Sequence, residues 1–152
     1  MPRYFFDTSA LVKFYHAEVG TPKVSAIFAE PGREIRISSI GLLEIQSAFA
    51  MKVATGVIDQ QLAGQQRAAL MLDIASDAIE VFNLTNVHIR DAERLIGKHS
   101  FTRRLRTLDA LQLAVALDLR TQGLLDHFVV ADRLLADVAT LEGLSVMDPE
   151  KP

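Results

Sequence analysis

The feature that most constrains the fold is the alternation of short β-like runs with longer segments of helical periodicity. The runs are rich in apolar and β-branched residues, and Gly, Pro or capping residues separate them from the helical segments. Because such runs offer apolar side chains to both faces of a sheet, they are typical of parallel strands covered by helices on both sides. We predict an α/β fold with five strands, at residues 3–7, 34–37, 79–82, 127–131 and 144–147.

The helical segments complete the α/β pattern. The most hydrophobic of them, 108–122, is apolar around most of its circumference, so we expect it to be buried on several sides, with Thr107 as its cap. The segments 40–55 and 59–76 resemble a helical hairpin with more apolar surface than one packed face needs. The remaining helices are predicted directly after Asp7 and at 21–29, 86–98 and 133–142.

Length and composition fit one globular domain. The chain has 152 residues, of which 49% are hydrophobic and 23% charged, enough for a single sizeable core. It contains no cysteine, which excludes disulfides, thiolate zinc sites and a cysteine nucleophile. The sequence shows neither a signal-like N-terminus nor an apolar run near the roughly 18 residues of a membrane span. We therefore expect a cytoplasmic protein.

Two aspartates lie where strands of the predicted parallel sheet end. Asp7 closes the first strand and Asp132 closes the fourth. Open α/β proteins bind their ligands at the carboxyl ends of parallel strands, which favours a site here. Thr8 and Ser9 follow Asp7 and are placed to orient its carboxylate. Each aspartate also has an ordinary alternative, since aspartate is a preferred N-cap of the helix that follows.

Two further acids lie on predicted helices. Glu44 has no cation three or four positions away, and its flanks Leu43 and Ile45 are apolar. If it is buried without a partner, its charge is costly and its pKa is raised; the alternative is a glutamate at the edge of a solvated face. Asp109 lies in the first turn of an otherwise apolar helix. The helix dipole alone would explain its charge, but so buried a helix points its amino end into the protein.

Taken together, the four acids predict a metal site. Two at strand ends and two on helices over the sheet can reach one crevice, where their charges repel strongly unless a cation joins them. Ligands that are all oxygen select Mg²⁺ or Mn²⁺ over zinc. The histidines lack HxxxH or HExxH spacing, so we interpret them as surface or structural residues. The sequence therefore predicts a metal-binding, phosphodiester-cutting site at Asp7, Glu44, Asp109 and Asp132.

Positive charge is concentrated in one stretch. A formal net charge of -3 is not typical of a nucleic-acid binder, since such domains are usually basic. Within the region 90–106, however, only Asp91 and Glu93 interrupt a local basic patch. The patch consists of Arg90, Arg94, Lys98, Arg103, Arg104 and Arg106.

Other proteins with a similar sheet lack support in the motifs. Haloacid-dehalogenase-like enzymes need a second aspartate two positions after the first, where this chain has Ser9. Response-regulator receivers need an adjacent acid pair at the first strand, where Phe6 precedes Asp7. No Gly-x-Gly-x-x-Gly follows the first strand and no P-loop is present, which disfavours dinucleotide or nucleotide binding.

Four motifs in order resemble those of the PIN-domain ribonucleases, and within them the VapC toxins of bacterial and archaeal toxin-antitoxin pairs. They are Phe-Asp-Thr-Ser-Ala-Leu-Val-Lys at 6–13, the segment 39–44, Leu-Arg-Thr-Leu-Asp-Ala-Leu-Gln-Leu-Ala at 105–114, and Phe-Val-Val-Ala-Asp-Arg-Leu-Leu at 128–135. The resemblance covers essentially the whole chain, and no acid of the pattern is missing. It implies a single PIN domain at 1–152, a three-layer α/β/α sandwich with a five-stranded, mostly parallel sheet.

The resemblance also implies an activity and partners. The protein would be an endoribonuclease toxin that cuts RNA, often at one site in a tRNA or ribosomal RNA. A small VapB-type antitoxin would silence it by covering the site, with the apolar hairpin at 40–76 as the binding groove. Homodimers are usual in the family. The alternative from a different class is a non-catalytic PIN-like module that binds RNA or a partner without cutting.

The predicted mechanism needs no side-chain nucleophile. A metal ion held chiefly by Asp7 and Asp109 lowers the pKa of a bound water and neutralises charge on the phosphate, while Glu44 and Asp132 position that water or a second ion. Ser9 supports the metal site. We also expect RNA phosphates near the metal to be held by Arg103, Arg104 and Arg106. The alternative interpretation is that these arginines belong to a solvated loop and bind nothing.

Overall fold

A computed structural model describes residues 1–152, in which five strands and seven helices alternate. All five predicted strands are present, each within two residues of its predicted start. The elements are β1 (Arg3–Phe6), α1 (Thr8–Tyr15), α2 (Thr21–Ala29), β2 (Glu34–Ser38), α3 (Ser39–Ala54), α4 (Gln60–Ala75), β3 (Glu80–Phe82), α5 (Asn86–His99), α6 (Thr107–Thr121), β4 (His127–Val129), α7 (Arg133–Leu141) and β5 (Val146–Met147). None of the helices combines the length and hydropathy of a membrane span.

The five strands form one sheet in the order β3-β2-β1-β4-β5, and every neighbouring pair is parallel. β1 lies at the centre, where Tyr4 is in register with Ile35 of β2 and Phe5 with Phe128 of β4. The chain builds the sheet outward through β2 and β3, then crosses back to place β4 on the other side of β1. This reversal opens a crevice between the carboxyl ends of β1 and β4.

The sheet separates two apolar cores, because successive side chains of a strand point to opposite faces. Phe5 and Phe128 pack on one face among buried residues of α5, α6 and α7. Phe6 and Val129 pack on the other face among buried residues of α1 to α4. Burial of one such phenylalanine is worth roughly 1.5–3 kcal/mol. The predicted three-layer α/β/α sandwich is confirmed, with a sheet that is parallel throughout.

Among the boundaries that differ from the prediction by one or two residues, two lie beside the crevice. Thr107 is the first residue of α6 rather than its cap; the N-cap is Arg106, which makes no side-chain capping hydrogen bond. β4 ends at Val129 instead of residue 131. It ends early because the Ala131 amide leaves the sheet and donates to Ser9 Oγ at 3.0 Å. Both differences bring residues towards the crevice between β1 and β4.

Candidate active site

Asp7 lies immediately after the central strand, at the crevice where the sheet order reverses. It is the N-cap of α1: its Oδ2 accepts hydrogen bonds from the Ser9 amide at 3.1 Å and from Ser9 Oγ at 2.6 Å. The residue is only 4% exposed, and no basic side chain forms an ion pair with it. The capping alternative is therefore true of Asp7, yet capping leaves its buried charge without a counter-ion.

The ionisation of Asp7 reflects this isolation. The pKa of Asp7 is raised to about 7: burial is the largest cause, the two hydrogen bonds from Ser9 oppose the shift, and the negative charges of Asp109 and Glu44 add to it. The three carboxylates are thus close enough to influence one another. Asp7 is the most strongly perturbed acid of this crevice.

Ser9 joins the two strand ends that border the crevice. Its hydroxyl donates to Asp7 and accepts from the backbone amides of Ala131 at 3.0 Å and Asp132 at 3.3 Å. The turn after β4 is therefore fastened to the carboxylate after β1. This contact gives the predicted supporting role of Ser9 a physical basis.

Glu44 points from α3 towards the same crevice. Its Oε1 accepts from Gln112 Nε2 at 3.1 Å and, more weakly, from Thr8 Oγ1 at 3.4 Å. Burial raises its pKa, as does the charge of Asp109, whereas the hydrogen bonds from Gln112 and Thr8 lower it. The helix turns Leu43 outward, with 67% of that residue exposed, and keeps Glu44 partly buried.

Asp109 and Asp132 are linked by one arginine. Arg106 Nε donates to Asp109 Oδ2 at 3.2 Å, and its Nη2 lies 3.7 Å from Asp132 Oδ2. Asp109 is 7% exposed; burial raises its pKa, and Arg106 opposes that shift. Asp132 also caps α7, since its Oδ1 accepts from the Leu135 amide at 2.9 Å.

Gln112 is a residue of the site that the sequence prediction missed. It is fully buried on α6, and its Oε1 accepts from Ser38 Oγ at 2.6 Å while Ser38 Oγ accepts from the Gly41 amide at 2.9 Å. Because the Ser38 hydroxyl must donate to Oε1, the amide presents Nε2 to Glu44. A Cβ at Gly41 would lie 2.9 Å from Gln112 Nε2, so the close approach of α3 requires glycine. The available signal was a lone glutamine in the apolar helix, three residues after Asp109.

The basic patch predicted from sequence divides into cations with a carboxylate partner, among them Arg106, and cations without one, among them Arg90. Arg94 and Lys98 pair with Glu142, which follows α7, and so they are partly neutralised. Arg103 and Arg104 are exposed and form no ion pair. An open cleft of about 470 Å³ next to the acids is lined by Arg104, Arg106, Asp109, Asp132 and Leu134.

The four histidines lie outside the crevice, in agreement with the sequence interpretation. His88 and His99 are buried and contact Asp118 at 2.7 Å and Glu142 at 3.1 Å. His16 contacts Gln66, and His127 contacts Ser145.

The donor chemistry of the crevice fits a hard divalent cation. Four carboxylates supply only oxygen, and buried Asp7 has no counter-ion of its own. No three His, Asp or Glu side chains stand as an assembled metal-binding group, however. Arg106 pairs with Asp109 and Asp132, which are two of the four predicted ligands. The arginine would have to leave these carboxylates before a metal ion could bind both of them. The acids are thus brought together by the fold, and two of them are held by an internal cation.

The chain belongs to the PIN domain family, since the family model matches residues 4–141. No curated protein matches the sequence. Among solved structures, VapC20 of Mycobacterium tuberculosis, described as a sarcin-ricin loop cleaving toxin, is similar with a TM-score of 0.68 and 18% identity, over 93% of this chain and 95% of that one. A toxin-antitoxin complex from Klebsiella pneumoniae has a TM-score of 0.64 and 17% identity, over 98% of this chain and 99% of that one.

A third similar structure is VapBC2 from Rickettsia felis bound to a promoter DNA fragment, with a TM-score of 0.63 and 15% identity over 96% of this chain and 98% of that one. At these identities the likeness shows the fold. The resemblance to the PIN family predicted from the four motifs is confirmed, and VapC20 and VapBC2 are among the structural neighbours.

Proposed function

We propose that this protein is a Mg²⁺- or Mn²⁺-dependent endoribonuclease that hydrolyses RNA phosphodiester bonds as the toxin of a VapBC-type toxin-antitoxin pair. The observation that carries the proposal is the desolvated Asp7 carboxylate at the switch point of the sheet, close to Glu44 and Asp109 and without a counter-ion. Membership of the PIN family and the VapC fold support the same activity. Because the substrate is RNA, we place the activity in the cytoplasm.

Asp7 and Asp109 are the chief candidates to hold the metal, with Glu44 and Asp132 beside them. When bound, a Mg²⁺ or Mn²⁺ ion here would lower the pKa of a water ligand and neutralise charge on the scissile phosphate. Ser9 keeps the Asp7 carboxylate in place through its two hydrogen bonds. Gln112 donates to Glu44 and thereby favours its ionised form, which can accept a proton from the attacking water.

Arg103, Arg104 and Arg106 are the proposed phosphate contacts. The first two are exposed and have no carboxylate partner, so their charges are available to RNA. Arg104 lines the cleft that also contains Asp109 and Asp132. A phosphate held by these arginines would lie beside the acids. Such contacts position a substrate without selecting its sequence.

The α3–α4 hairpin is the proposed antitoxin surface. Leu43, Met51 and Leu72 are each more than 60% exposed, which is unusual for side chains of this size. A groove of about 610 Å³ includes both Leu43 and Glu44, so an apolar segment bound there would also block the crevice. Several structural neighbours are toxin-antitoxin complexes, which supports a VapB-type partner. A homodimer remains part of the proposal.

The decisive experiment is single-turnover cleavage of a labelled RNA with and without Mg²⁺. We expect wild type to cut only with metal, and Asp7→Asn and Asp109→Asn to lose at least about 100-fold in rate. Asp137→Asn, an exposed aspartate of α7, is the matched control and keeps wild-type activity. Full activity in both crevice variants would refute the metal site.

The second candidate is a PIN-like module that binds RNA or a partner without cutting it. It is favoured by one observation: Arg106 already pairs with Asp109 and Asp132, two of the proposed metal ligands. If all variants and wild type fail to cut while RNA is still retained in a binding assay, this second function replaces the first.

A further inference from the structure

Arg106 supplies the only ion pairs made by the four acids of the crevice. Its guanidinium reaches Asp109 Oδ2 through Nε at 3.2 Å and Asp132 Oδ2 through Nη2 at 3.7 Å. Asp7 and Glu44 have no such partner. The arginine therefore places one positive charge where the proposed function requires a divalent cation.

The position of Arg106 in the chain is costly by itself. It is the N-cap of α6 and makes no capping hydrogen bond, and a cation at a helix N-terminus opposes the helix dipole. The two carboxylates account for its presence, since Asp109 and Asp132, together with Glu44, stabilise its charge and raise its pKa. The local helix chemistry alone does not favour an arginine at this position.

The contact is also easy to release. The Arg106 side chain is 70% exposed, and the side chain hydrogen-bonds only to Asp109. An exposed ion pair of this kind is weak and screened by salt. Asp109, by contrast, is 10% exposed at its side chain and fixed in the first turn of α6. A competing cation would displace the arginine rather than the acid.

We propose that Arg106 is an internal, displaceable counter-ion that competes with a divalent cation for Asp109 and Asp132. This inference rests on the metal site of the proposed function. A dication and the guanidinium would compete for the same two carboxylates, so metal binding would release Arg106 towards the cleft that it lines with Arg104. Removal of Arg106 therefore strengthens metal binding, whereas removal of an ordinary metal-site residue would weaken it.

The first test measures Mn²⁺ affinity without any activity. Mn²⁺ is titrated into wild type, Arg106→Met and Arg104→Met at pH 8 and about 0.15 M ionic strength, and the EPR signal of free Mn²⁺ is followed. We expect Arg106→Met to bind about three- to tenfold more tightly. Arg104→Met removes a charge from the same cleft but makes no contact with the acids, so it should stay within about twofold of wild type.

The second test uses the wild-type chain and needs no variant to fold. The Arg106 Nε signal in a ¹⁵N guanidinium spectrum should shift on saturation with Mg²⁺, while that of Arg104 stays in place. Three results would overturn the inference and leave the metal site intact. The Arg106 signal could stay in place although Mg²⁺ binds, or Arg106→Met could bind Mn²⁺ no more tightly than wild type. The third result is an equal increase in Mn²⁺ affinity in both variants. Failure of all three proteins to bind Mn²⁺ would overturn the metal site and the inference with it.

Discussion

Asp7 and Glu142 are two acidic groups with little exposed side chain, and their pKa values shift in opposite directions. Asp7 is 4% exposed, and the side chain of Glu142 is 7% exposed. Burial raises the pKa of Asp7 to about 7. Burial also raises the pKa of Glu142, but hydrogen bonds from Lys98, His99 and Arg94 outweigh it and hold the pKa at about 2. The neighbours decide the direction, since cationic donors surround Glu142 and none contacts Asp7, which also lies deeper in the protein.

The difference distinguishes an acid whose charge is balanced within the chain from one whose charge is not. Glu142 ties α5 to the end of α7, and its charge is balanced within the chain. The acids around Asp7 have one cation, Arg106, for four negative charges, and that cation does not contact Asp7 itself. Such an imbalance is costly unless a ligand corrects it. We regard the imbalance as the physical mark of the site.

The largest expected difference between the surroundings of Asp7 and those of Glu142 is in how the free energy of unfolding depends on pH. The folded pKa of Asp7 lies above its ordinary value of 3.8. The contribution of protonated Asp7 to the free energy of unfolding is therefore fully present below about pH 4 and is lost as the pH rises through about 7. The loss amounts to about 4 kcal/mol. We expect the metal-free protein to become less stable to urea between pH 5 and pH 8. Mg²⁺ should restore stability at pH 8, because it binds only the folded state.

Asp7→Asn tests the source of this effect. Asparagine caps a helix about as well as aspartate, so α1 should keep its N-terminus while the buried charge disappears. We expect the variant to be more stable than wild type at pH 8 without metal and to gain little from Mg²⁺. A variant that keeps the full wild-type fall in stability would show that Asp7 is not the group responsible.

The second effect concerns Gln112, the buried residue that holds Glu44. Gln112→Met keeps the length of the side chain but cannot donate to Glu44, so we expect single-turnover cleavage to slow about 10- to 100-fold. Gln66→Met is the matched control, since Gln66 is also a buried glutamine and hydrogen-bonds His16 away from the crevice. If both variants lose the same stability and the same activity, Gln112 has only a structural role.

Periodicity and capping predicted the elements well, because strands and helices of this chain are marked by local residue patterns. The same patterns placed Asp7 and Asp132 at strand ends, and parallel strands bring such ends to one edge. They could not predict Arg106 beside Asp132 or Gln112 beside Glu44. Those contacts depend on how α6 packs against α3 and α7, which join residues far apart in the chain.

The ion pairs of Glu142 could not be predicted from local patterns either. Substitution of this residue has the smallest of the predicted effects. Its partners Arg94, Lys98 and His99 lie more than 40 residues earlier in the chain. Glu142→Gln should lower the free energy of unfolding by about 1–2 kcal/mol at pH 7, because Lys98 loses its carboxylate partner and Arg94 keeps only Asp91. Cleavage activity should be unchanged.

The pH dependence of this loss has the opposite sign to that of Asp7. Because the folded pKa of Glu142 is lowered from 4.5 to about 2, its contribution is present above about pH 4.5 and is lost as the pH falls through 2. The difference between wild type and Glu142→Gln should therefore shrink between pH 5 and pH 3 in urea unfolding. Glu93→Gln, an exposed glutamate of α5 without an ion pair, serves as the control. A Glu142→Gln difference that is constant with pH would mean that hydrogen-bond geometry, and not charge, holds α7 to α5.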